Sequence, residues 1–158
     1  MTNTDTQKLR QLELLWWALT LFVVLLILTP IYLTVTNFPF YLLNAIYITT
    51  FITVARYIFL LKYTFLAKSE RWKIICVFLC IPAVFLLVQE LNLFQTFLDE
   101  NGMEAMVGNI LPLSRRTAIN KYIYNEIMLF GVGSIISCVL LPFRLLISVW
   151  RGRNNAGI

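Results

Sequence analysis

"IICVFLCIPAVFLLVQELNLFQTF", Ile74 to Phe97, is the stretch on which the fold turns. Its 24 residues carry one acid and no base, and a helix of that length reaches about 36 Å, enough for the roughly 30 Å hydrocarbon core of a bilayer. Three more windows have the same character, at about Leu12–Val35, Phe40–Leu61 and Tyr122–Val149. Together the four use most of the 158 residues, and a composition of 59% hydrophobic against 13% charged residues lies outside the soluble globular range. The fold class expected is an all-α integral membrane protein. Residues 1–158 form one domain of four transmembrane helices in an antiparallel up-down bundle, with an outer loop over about 98–121.

Orientation follows from the bases. Lys8 and Arg10 precede the first window, Lys62, Lys68, Arg71 and Lys73 surround the second connection, and Arg144, Arg151 and Arg153 end the fourth window. The other side has Arg115, Arg116 and Lys121, diluted by Asp99, Glu100 and Glu104. Both termini are therefore expected in the cytoplasm. The first apolar run is too long for a signal-peptide h-region and no small-x-small site follows it, so it reads as a retained anchor. The same bias explains a net charge of +5. These bases are scattered over short loops, without the motif or aromatic platform of a nucleic-acid reader, and their expected partners are anionic headgroups at the cytoplasmic face, chiefly around Lys68–Lys73.

The connections differ in character. Thr36–Pro39 suits a tight outer turn, and Ser69 suits a cap for the third helix. In the outer loop Met103, Met106, Val107 and Ile110 have the spacing of a short interfacial helix that Pro112 would end, with an irregular loop as the alternative. Pro30, Pro82 and Pro142 fall inside apolar windows, each freeing a carbonyl four residues back.

With no histidine anywhere and Cys76, Cys80 and Cys138 as the cysteines, His-ligated haem, His-containing zinc sites and His-based triads are excluded, and no metal or cofactor is expected. Helical spacing gives each window one small or polar stripe: Glu13, Thr20 and Thr34; Thr49, Thr53 and Arg56; Cys76, Cys80, Ala83, Leu87 and Glu90; and Tyr122, Glu126, Gly133, Ser137 and Arg144. These faces are expected to meet in the interior or against another subunit, because lipid satisfies no polar group. Gly133 with Ser137 and Ser134 with Cys138 have the small-xxx-small spacing of helix packing.

Depth sorts the polar residues into two expected clusters. Glu90, Glu126, Asn44, Gln89 and Asn125 fall at a similar level in the outer half, Glu90 about 10 Å below the boundary, while Glu13, Arg56 and Arg144 fall near the cytoplasmic side. A charge in hydrocarbon costs at least ~2.5 kcal/mol, so each must be paired, hydrated or neutral. Glu13 can pair with Arg56 or Arg144; in the outer cluster, Arg115 or Arg116 folding back is the available counter-charge.

For function, two carboxylates with no activated nucleophile or phosphate-cradling loop make a poor enzyme. Short loops and kinked, small-residue faces point instead to a subunit, scaffold or assembly factor of a larger complex in a bacterial inner membrane, partnered by other membrane subunits or by its own copies. The alternative is an oligomeric transporter or channel for a proton, ion or small cationic solute, using Glu90 and Glu126.

Overall fold

The computed structural model describes residues 3–35, 38–107 and 112–155. Among them there is no strand, and four helices carry the fold: α1 (Asn3–Thr34), α2 (Tyr41–Leu60), α3 (Glu70–Asn101) and α4 (Leu113–Asn155). Each is long and apolar enough to cross a membrane. Two short 3-10 turns, Leu61–Tyr63 and Phe65–Lys68, join α2 to α3, and a third, Met103–Met106, follows α3.

The helices overrun the apolar windows at their polar ends. α1 starts at Asn3, α3 reaches from Glu70 to Asn101, and α4 begins at Leu113, inside the stretch expected to be loop. The reason is propensity: Gln, Lys, Arg and Glu are good helix formers, so the hydrogen-bond ladder continues where hydropathy stops. The loop over 98–121 shrinks to the segment between Asn101 and Leu113. Pro112 stands at the entry to α4, where its carbonyl accepts the Arg116 N–H at 3.0 Å and opens the first turn. Of the expected interfacial helix, Met103–Met106 form a 3-10 turn with Met106 and Val107 buried, while Gly108 and Ile110 lie outside the described residues. So do Thr36 and Asn37 of the outer turn. Ser69 occupies the N-cap position of α3 but makes no side-chain capping bond.

Neighbouring helices run antiparallel. Arg56 near the end of α2 meets Glu13 near the start of α1, and the Lys73 ammonium near the start of α3 donates to Ser148 near the end of α4 at 3.1 Å. α4 packs against both α2 and α3, whereas α1 packs mainly on α2. The core has one part around Ile31, Tyr47, Phe94, Ile123 and Ile127, toward the α1–α2 connection, and a second around Leu61, Cys80, Leu141 and Leu145, toward the α2–α3 connection. Aromatic rings close the end at the α1–α2 connection, with Phe40 edge-on to Phe94 and Phe97 at centroid distances of 5.1 Å each.

Small residues on α4 set the spacing. A Cβ on Gly133 would stand 2.9 Å from the Phe51 ring, and one on Gly131 would stand 3.0 Å from Leu91 Cδ1. Ser134, fully buried, turns its hydroxyl back to the Gly131 carbonyl at 2.8 Å, and Ser137 and Cys138 are buried beside it. Pro30, Pro82 and Pro142 all lie inside helices. Next to the Leu26 carbonyl that Pro30 leaves without a helical donor, the Ile27 carbonyl accepts the Tyr122 hydroxyl of α4 at 2.9 Å.

Replacing Gly133 by Leu forces Phe51 aside and is expected to lower stability by about 1–3 kcal/mol. Val132→Leu, on the exposed side of the same turn, should be near neutral. Thermal unfolding of the purified protein in detergent checks both, and equal melting temperatures for the two variants would contradict the close α2–α4 approach.

Candidate functional site

The inner polar group is built on α1 and α2. Arg56 is buried, its Nη1 is 2.8 Å from Glu13 Oε2, and its guanidinium lies over the rings of Trp16 and Tyr57 at 5.4 and 5.7 Å. The second oxygen of Glu13 accepts the Phe65 backbone N–H at 3.1 Å, so one carboxylate ties α1 to both α2 and the turn after it. Arg144 takes no part in this pair. Its Nε donates to the Ile58 carbonyl at 3.1 Å, satisfying one of the acceptors left over in the last turn of α2.

The outer group is smaller than the depth count suggests. Asn44 is fully buried on α2, and its Nδ2 donates to Glu126 Oε2 on α4, itself only 6% exposed. Asn44 Oδ1 and Glu126 Oε1 have no partner among the described residues. Glu126 also lines a groove of about 340 Å3 with Ile27, Tyr122, Asn125, Leu129 and Phe130. Glu90, Gln89 and Asn125 stay outside the pair and are exposed. The geometry of α3 explains Glu90: the buried positions are Lys73, Cys80, Leu87, Leu91 and Phe94, and a step of three from Leu87 turns the helix about 60° off that line whereas a step of four turns it about 40° the other way. Arg116 is engaged elsewhere, with Nη1 3.3 Å from Glu104 Oε2.

Two features lie beyond the expected clusters. Lys73 is buried on α3 and reaches Ser148; nothing in its sequence context, at the polar end of a window, marks it as buried. The second is a groove of about 320 Å3 on the outward face of α3, lined by Phe85, Val88, Gln89, Asn92, Leu93 and Thr96. Gln89 and Asn92 share this groove. The signal that finds it is the spacing of Phe85, Gln89, Asn92 and Thr96 by steps of four, three and four, the alternation of a heptad seam.

Chemically, the site offers hydrogen-bond acceptors at Asn44 and Glu126, and amides with both donors and acceptors on the outside of α3. Among the described residues no group of three or more His, Cys, Asp or Glu converges as a metal site. No protein-family model, curated protein or solved structure matches the chain.

Removing Asn44 alone, as Asn44→Leu, leaves a buried carboxyl without its donor and is expected to cost about 1–3 kcal/mol. Adding Glu126→Leu removes the stranded partner too and should recover part of that loss, giving a non-additive double-mutant cycle of about 0.5–3 kcal/mol. Unfolding of the four species in one detergent measures the coupling; additive changes would mean that the two side chains do not interact.

Proposed function

We propose that the chain is a multi-pass protein of a bacterial inner membrane, with both termini cytoplasmic, that acts as a subunit, scaffold or assembly factor by docking other transmembrane helices. The observation that carries this reading is the exposed groove on α3 with Gln89, Asn92 and Thr96 in its wall. In a hydrocarbon setting such groups find no partner in lipid, whereas hydrogen bonds between helices satisfy them, at about 0.6–2 kcal/mol each. Orientation is supported by the bases that gather beside Glu13, Ser69 and the end of α4, where anionic headgroups are the natural partners.

A second reading has its own observation. Glu126 carries an oxygen with no partner among the described residues and lines a lateral groove between α1 and α4, which favours a proton, ion or small organic cation as an occupant in an oligomeric transporter. Glu90, exposed on α3, stands apart from that groove.

Purification in a gentle detergent tests the first reading. The expected result is a complex that loses its partner when Gln89 and Asn92 are both replaced by Leu; recovery of the wild type solely as a stable monomer overturns it. Flux into liposomes tests the second. Glu126→Gln should abolish uptake of a transported cation while Glu90→Gln retains it, and equal flux for wild type and Glu126→Gln removes the acid from any transport step.

A further inference from the structure

The exposed side of α3 is more regular than a patch. Ile75, Phe78, Phe85, Gln89, Asn92 and Thr96 are all exposed, and with Pro82 between Phe78 and Phe85 they step by three and four in strict alternation. That is a heptad seam, and it lies on the opposite side of α3 from its buried residues Cys80, Leu87, Leu91 and Phe94. The next heptad positions outward along the seam are charged, Arg71 at one end and Asp99 at the other. Between Ile75 and Thr96 the helix rises about 32 Å, close to the thickness of a bilayer's hydrocarbon core.

We propose that this seam is a self-association surface, occupied by α3 of a second copy of the chain. The proposal rests on the docking reading above and names its partner. Two copies inserted in the same orientation are related by a two-fold axis along the membrane normal, which sets α3 beside α3 in parallel, each seam residue facing its own copy. Such an arrangement accepts only residues that complement themselves. An amide offers two donors and an acceptor and a hydroxyl offers both, so Gln89, Asn92 and Thr96 pair with their own counterparts. Phe78 and Phe85 stack on theirs. A carboxylate or ammonium on the seam would meet its own charge, and the seam holds none between Ile75 and Thr96; Glu90 lies beside it. A partner with a plain apolar face would instead leave both amides unsatisfied.

The test is disulfide trapping of the full chain in native membranes. Asn92→Cys and Phe85→Cys are expected to give an oxidation-dependent dimer above the wild-type background, and Leu21→Cys, exposed on α1, is expected to give none. Absence of dimer at both seam positions, or equal trapping at Leu21, overturns the proposal. Coprecipitation of two differently tagged copies provides an independent readout. Replacing Gln89 and Asn92 together by Leu should weaken it about tenfold, and undiminished coprecipitation overturns the role of the amides. If the tagged copies do not coprecipitate while another membrane protein is retained by wild type and lost with the double variant, the second copy is wrong and the docking reading stands. If the wild type is recovered only as a monomer, both fall.

Discussion

Phe51 sits where a side chain on residue 133 would be, and that exchange of a Cβ for an aromatic ring fixes how near α2 comes to α4. The polar contacts between α2 and α4 depend on this approach. It brings Asn44 within reach of Glu126 and Arg144 within reach of the end of α2, while α3 packs on α4 beside α2, where the Tyr47 hydroxyl donates to the Leu87 carbonyl at 3.0 Å. Side-chain volume is absent from α4 at Gly131 and Gly133 and is supplied by Tyr47 and Phe51 of α2 and Leu91 of α3, so the helices interlock instead of merely touching.

α1 is held differently. It has few buried side chains, and its firm contacts lie toward its ends: Glu13 on Arg56 and Phe65 at one, and the Tyr122 and Tyr41 hydroxyls on the carbonyls of Ile27 and Val35 toward the other. Between them Leu21, Phe22, Leu25 and Leu26 face outward. A buried Arg held by a carboxylate and two rings is a localised fastening, whereas the α2–α4 contact is distributed over many side chains.

The presence of four helices is legible in the sequence because a long apolar run is a property of composition. Their ends are not, since Glu70, Lys73 and the residues from Leu113 to Lys121 are at ease in a helix whatever their hydropathy. Of the polar residues, Asn44 with Glu126 and Glu13 with Arg56 are set by depth along antiparallel helices, which counting residues captures. Glu90, Gln89 and Asn125 depend on rotation about the helix axis, where a drift of tens of degrees moves a residue from inside to outside. The seam on α3 shares no residue with the stripe Cys76, Cys80, Ala83, Leu87 and Glu90 read from the same helix, although its spacing is visible in the letters alone.

The Asn44–Glu126 bond joins residues 82 apart in the chain. A chain made from its N-terminus therefore presents the Asn44 amide before Glu126 has been synthesised, and the last turn of α2 likewise waits for Arg144 to reach Ile58. The first three helices are in this sense an unfinished surface, with an amide and a carbonyl held open for the last one. α4 acts as the keystone in time as well as in space: its arrival supplies the partners of the Asn44 amide and the Ile58 carbonyl, and a chain stalled before residue 126 would leave both groups without them.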